Sequence, residues 1–487
     1  MNSESLIGPG GLWFMGLYLL SLIGVGMAGK MARKENSLAD FYLAGRGMGL
    51  PVLFLTLYAT QYSGNTLIGF AGKAYRGGYA SIVMVIFMSS VVGAYLIFAP
   101  KLFRMSQQHK FITIGDYIQH RFQFPLLTYL IIILSMIALG NYILTNLKAI
   151  GFIVQAATGG KVGFAQSIII LSFIMVLYET LGGMRSVAWT DVIQGVLLLA
   201  GVVFIFFAIQ IEYGGFVEAG RLIQSKQPNA FLPPDWHEKR LWFSTILLAF
   251  FGISVYPHAI QRIYAAKNES TLIRSFQIMV FMPLFTTLFM VVVGWVGLAQ
   301  FPNLNRSGSE QITMMMLKDI SLRMPAMGAL IVLFLSAAVA AIMSTVDSAL
   351  LAISSMVTQD IYGRYKPGTS QRVLTKIGKI ASWGIMAVAV YLAIVVPQTI
   401  WRIMEIKLEL LCQIAPAIFL GLHFKSLKGN AVFFGAVAGT TLAVGFMLIN
   451  FIIPSFPVKP WGIHAGIWGL FLNVSVLTFV QSQYCQK

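Results

Sequence analysis

Long charge-free apolar runs, separated by short polar segments, repeat along the whole chain. They fall at roughly 5–29, 47–72, 77–100, 122–147, 162–178, 192–211, 241–261, 275–305, 324–346 (continuing past Asp347 to 359), 380–401, 410–424, 429–458 and 460–486. A helix needs about 20 predominantly apolar residues to cross the hydrocarbon core. Most of the runs reach that length, and the short one at 410–424 is expected to start earlier, near Thr399. The pattern predicts an all-α polytopic membrane protein of about thirteen transmembrane helices. The first run has no basic region before it and no evident cleavage site, so it is expected to remain as a span.

Two runs carry signals that interrupt a helix. The second contains Ala59, Thr60, Gln61, Tyr62, Ser63, Gly64, Asn65 and Thr66 in unbroken succession. The seventh contains Gly252, Ser254, Tyr256, Pro257 and His258. Pro257 removes an amide hydrogen and crowds the preceding turn. Irregular backbone at membrane depth is tolerated only where it is buried in protein or lines a cavity. A pair of interrupted helices at corresponding places points to an inverted-repeat transporter with its binding site at the breaks. The expected organisation is one transporter domain over 1–487, with residues 47–211 and 241–424 as the two repeats. Residues 5–29 and 429–486 would be accessory helices. The solute would lie between the breaks, with Gln61, Ser63, Asn65, Tyr256 and His258 as candidate contacts and Gln413 joining from the eleventh span. Freed amides at a half-helix N-terminus favour anionic groups, which suits a carboxylate-bearing solute. His258 could instead serve as a protonatable gate.

Composition agrees with the membrane reading: 57% of residues are hydrophobic and only 10% charged, against about 25% charged in soluble proteins. The formal net charge of +17 raises nucleic-acid binding, but the basic residues are spread by loop and form no patch. Lys30, Arg33, Lys34 and Arg46 follow the first span, and Lys101, Arg104, Lys110 and Arg121 follow the third. Arg364, Lys366, Arg372, Lys376 and Lys379 follow the ninth. All three loops fall on one side, which the positive-inside rule makes cytoplasmic. The N-terminus is then outside and the C-terminus inside the cell membrane. Cys412 and Cys485 suggest neither a disulfide framework nor a metal site. There is no phosphate-binding glycine loop and no stretch long enough for a soluble module. An ATP-driven pump and a membrane enzyme are therefore disfavoured, and no nucleic-acid partner is expected.

Between Arg323 and Asp360 the one ionisable side chain is Asp347. A carboxylate in such a run is costly and by default marks a pathway or a site. Ser344, Asp347 and Ser348 share one helical face at i, i+3 and i+4, with Thr345 beside them. Such hard oxygens suit a hard cation, which points to Na⁺. Near the eleventh span, Glu405, Lys407, Glu409 and Arg402 are expected to form an ion-paired helix end or part of an external gate.

Several segments resemble the solute:sodium symporter family. They are Glu179 to Gln194, with Gly182-Gly183, Arg185, Trp189 and Asp191; Phe41 to Arg46; Gln261-Arg262 to Lys267; and Met343-Ser344-Thr345 followed by Asp360 to Tyr362. The matches run from about residue 40 to 425 in the family's order. The resemblance implies an architecture similar to LeuT-type inverted-repeat transporters. It also implies a Na⁺ site between the second and ninth spans, formed by the carbonyls of Ala59, Tyr62 and Ala341 and the hydroxyls of Ser344 and Thr345. Some members add a second cation site, which here would use Asp191, Asp347 and Ser348. Asp347 departs from the hydroxyl-bearing residue usual there, so a proton is an alternative to a second Na⁺. Another reading has Asp191 capping a helix or pairing with Arg185. Gln61 stands where the proline-transporting branch carries an aspartate. The expected function is Na⁺-coupled uptake of a small organic solute such as proline, pantothenate or a monocarboxylate, with Na⁺ as coupling ion and no other metal. The runner-up is a transporter-like membrane sensor with a separate signalling partner.

Overall fold

The computed structural model describes residues 8–63, 65–324, 328–396, 400–453, 455–457 and 459–485. Gly64 and the side chains of Asn65, Arg402, Glu405 and Cys485, all singled out above, lie outside the described residues. Regular structure among the described residues is helical, apart from an isolated bridge between Met48 and Ala266. Among the described residues, eleven helices are long and apolar enough to cross a membrane, or twelve when the bent pair Trp236–Gly252 and Pro257–Ala265 counts as one. Leu50–Gln61 is apolar but too short alone. With Asn65–Gly69 and Phe70–Gly77 it fills the place of the second run, so each of the thirteen runs falls on a helix or a helix pair.

In order, the spans are Pro9–Met31 (one), Leu50–Gln61 with Phe70–Gly77 (two), Val83–His109 (three), Pro125–Ala157 (four), Phe164–Gly182 (five) and Met184–Glu212 (six). Then come Trp236–Gly252 with Pro257–Ala265 (seven), Glu269–Gln300 (eight), Gly328–Ser355 (nine) and Gln371–Val395 (ten). Ile400–Leu411 with Ala415–His423 (eleven), Gly429–Ile452 (twelve) and Ala465–Cys485 (thirteen) complete the chain. The helices outrun the charge-free runs: Lys101 and Arg104 lie inside span three, and Arg185 and Asp191 inside span six. A charge marks where a helix meets polar surroundings and does not end its hydrogen bonding.

Span nine is the central element. Its apolar window is 89% buried, against 22% for span one and 28% for spans ten, twelve and thirteen. Lipid is as apolar as leucine, so small residues rather than hydrophobicity let membrane helices approach. Span nine supplies Ser336, Ala337, Ala338, Ala340 and Ala341, all buried. A Cβ on Gly201 of span six would stand 2.9 Å from that of Ala337.

Both interrupted spans are broken where expected. Span two leaves the helix at Tyr62 (φ −100°, ψ 93°) and resumes through a π-helical turn at Asn65–Gly69. Span seven bends by 49°, with Tyr256 outside helical geometry (φ −55°, ψ 126°) and Pro257 opening the second half. Proline is well placed there, because a first-turn amide has no intrahelical acceptor. The end of span seven is tied to the start of span two: Met48 N donates to the Ala265 carbonyl at 3.1 Å, and Lys267 N to Met48 O at 3.0 Å.

Candidate functional site

The two breaks and span nine converge on Tyr142 of span four. Its hydroxyl lies against the hydroxyls of Ser63 at the first break and Thr345 on span nine. Its ring meets Tyr256 at 5.4 Å and His258 at 5.8 Å between centroids, and those two meet each other at 4.9 Å. Lys407 of span eleven covers the Tyr142 ring, its ammonium 3.3 Å from the centroid. Ser63, Tyr142, Tyr256, His258, Thr345 and Lys407 are all buried. His258 Nδ1 here, and both amide atoms of Gln61 at the end of the first half of span two, have no hydrogen-bond partner among the described residues. Unpaired buried polar groups are rare in native proteins and call for a reason; a ligand site supplies one.

Beside this cleft, span two ends and leaves the carbonyls of its last turn short of helical amides. Tyr62 N still reaches Tyr58 O at 3.0 Å. Opposite, Thr345 Oγ1 donates to Ala341 O at 2.9 Å, and Ser344 Oγ donates to Asp191 Oδ1 at 2.6 Å. Each hydroxyl spends its proton on those acceptors and keeps lone pairs for a cation. Thr60 and Ser348 connect spans two and nine at 3.3 Å.

Asp191 has a partner that the sequence reading missed. Arg262, on the second half of span seven, holds Asp191 Oδ2 at 2.9 Å, and both side chains are fully buried. The same guanidinium donates to Thr56 Oγ1 at 2.9 Å, to the His258 carbonyl at 3.1 Å and to Ser348 Oγ at 2.5 Å. Thr56 also donates to Asp191. One arginine therefore joins spans two, six, seven and nine. Arg185, the alternative partner, instead pairs with Asp40 at 2.8 Å. The signal is in the sequence: an arginine within an apolar helix is functional by default.

Asp347 faces another way. It accepts from Tyr178 of span five, and its Oδ1 has no partner among the described residues. Tyr18 of span one stands close to Asp347, Asp191 and Gln194. Asp191 and Ser348 are thus joined through Arg262, while Asp347 belongs to the interface of spans one, five and nine.

Two further expectations need correction. Gln413 does not line the cleft: its side-chain amide donates to Gly466 O at 2.8 Å, and Asn473 Nδ2 donates to its backbone carbonyl at 3.0 Å and to its Oε1 at 3.3 Å, so it packs against span thirteen. Lys407 forms no ion pair with Glu409, whose carboxylate lies 3.8 Å from His464.

A model of the sodium:solute symporter family matches residues 41–439. The osmoregulated proline transporter OpuE of Bacillus subtilis is 26% identical over 94% of this chain and 92% of its own length. The sodium/pantothenate symporter of Haemophilus influenzae is 25% identical over 89% of this chain and 88% of its own. Among solved structures, a Na⁺-coupled sialic acid symporter in a substrate-bound outward-open state superposes with a TM-score of 0.79, covering 98% of each chain at 17% identity. That likeness establishes a LeuT-like helical fold. With the family's pattern spanning most of its length, the chain belongs to the sodium:solute symporter family, whose members are Na⁺-coupled membrane transporters and not enzymes.

Proposed function

We propose that the chain takes up a small carboxylate-bearing organic solute with Na⁺, its N-terminus outside the cell membrane and its C-terminus in the cytoplasm. The observation carrying this reading is the convergence of both helix breaks on Tyr142, next to the hydroxyls of span nine. The Na⁺ ligands would be the carbonyls of Ala59, Tyr62 and Ala341 and the hydroxyls of Ser344 and Thr345. The solute would contact Gln61, Ser63, Asn65, Tyr256 and His258. Residues 47–211 and 241–424 would act as the two repeats. Na⁺ bound between spans two and nine holds the cleft assembled. Its loss to the cytoplasm frees span two and releases the solute. Each Na⁺ entering down a 100 mV potential supplies about 2.3 kcal/mol, which the charge of a monoanion carried with it offsets, leaving the Na⁺ concentration gradient as the drive.

The second position, at Asp191 and Ser348, already has a cation in Arg262. We therefore assign one Na⁺ per cycle, with Asp347 as the remaining place for a second cation or a proton. The test begins with a thermal-shift screen of carboxylates and amino acids with and without Na⁺, followed by uptake of the hit into proteoliposomes. Ser344→Ala with Thr345→Ala should abolish Na⁺-stimulated uptake while the protein still inserts. Unchanged Na⁺ dependence in that variant would overturn the site. Solute binding without flux would favour a sensor.

A further inference from the structure

Lys407 is a buried amine with no acidic partner among the described residues. It sits on span eleven, 3% exposed. Its ammonium stands 3.3 Å from the Tyr142 ring centroid and 5.7 Å from that of Tyr256. Among the described residues no carboxylate pairs with it. Asp191 is held by Arg262, Asp347 accepts from Tyr178, and Glu409 lies toward His464. The rings around it are uncharged: Tyr142 and Tyr256, with His258 against both at 5.8 and 4.9 Å between centroids.

An aromatic face compensates a desolvated cation only in part. A cation–π contact returns only part of the cost of removing an ammonium from water. The difference is met when an anion enters the cleft. The same accounting disfavours a zwitterion. Its carboxylate would find Lys407, but its ammonium would enter a site with Lys407, Arg262 and Na⁺ close by, where the described carboxylate, Asp191, is already held by Arg262.

We propose that Lys407 is the anchor for the solute's carboxylate, and that the cleft selects a net monoanion, a monocarboxylate without an ammonium group, over zwitterionic amino acids. This deepens the uptake reading above and rests on it. A charge consequence follows. One Na⁺ with one monoanion moves no net charge, so uptake responds to the Na⁺ gradient and not to membrane potential. One Na⁺ with a zwitterion would move one positive charge.

The experiment uses the purified full chain and six probes, each with Na⁺ or choline. Pantothenate, pyruvate and propionate are the monoanions, proline and alanine the zwitterions, and propionamide the neutral isostere of propionate. The expected result is Na⁺-dependent stabilisation by at least one monoanion and none by proline, alanine or propionamide. Lys407→Met should weaken the monoanion by about 30-fold or more, the scale for losing one desolvated charge partner. Lys407→Arg should retain part of the affinity. Stabilisation by Na⁺ alone should persist in both variants, which shows that they are folded. The proposal is overturned if the zwitterions bind and the monoanions do not, if no monoanion acts, or if Lys407→Met binds the monoanion as wild type does. Failure of Na⁺ itself to stabilise the wild-type protein would instead remove the uptake reading, and this proposal with it.

Discussion

Replacing Arg262 by methionine tests the organisation of the site most directly. The guanidinium is fully buried and bonded to Asp191, Thr56, Ser348 and the His258 carbonyl. Without it, Asp191 keeps only the hydroxyls of Thr56 and Ser344 as donors and carries an uncompensated charge in a dry interior. Breaking a buried pair by removing one partner costs about 3–5 kcal/mol. Asp191→Asn with Arg262→Met removes both charges, so the double variant should be more stable than Arg262→Met alone by about 2 kcal/mol or more. The assay is a double-mutant cycle in reversible denaturant unfolding in detergent, followed by tryptophan fluorescence. Na⁺, compared with choline, should stabilise Arg262→Met more than wild type, because the exposed oxygens of Asp191, Ser344 and Ser348 then take an external cation. Additive single effects, with no coupling above about 0.5 kcal/mol, would refute the assignment of Arg262 as the counter-ion.

Because one Na⁺ with one monoanion moves no net charge, Asp347→Asn should leave uptake electroneutral; a change in charge moved per solute in voltage-clamped proteoliposomes would instead give Asp347 a second cation or proton. Tyr178→Phe should destabilise the protein by about 1–3 kcal/mol, because it takes away the hydroxyl that donates to buried Asp347; denaturant unfolding with and without Asp347→Asn checks it, and the effect should shrink in the asparagine background. Gly294→Ala would place a Cβ 2.3 Å from the Ala71 carbonyl and 2.6 Å from the Ala74 Cβ. That overpacks spans two and eight at a cost of about 1–3 kcal/mol, read as a lowered denaturation midpoint.

The sequence by itself determined the spans, the breaks and the family. Each is a local property. In lipid every backbone polar group must be satisfied within its own segment, so an apolar run declares a helix without knowledge of its neighbours. Pro257 likewise declares a break through its own ring and missing amide. The resemblance from about residue 40 to 425 was written in contiguous motifs, and the family match over 41–439 agrees with it. What hydropathy leaves open is the rotation of each helix about its axis, because lipid and the protein interior are equally apolar. Tertiary structure decided those rotations, and with them the charges. Arg262 reaches Asp191 across 71 positions of the chain. Lys407 turns onto Tyr142, while Glu409 of the same span lies toward His464. Gln413, six residues further on, turns outward to span thirteen and is satisfied there. Tyr142 stands in a run where nothing local distinguishes it from other packed aromatics. The oxygen-rich face that begins at Ser344 was legible from helical spacing alone. Its division among Asp191, Arg262 and Tyr178 required the packing of five other spans around the ninth.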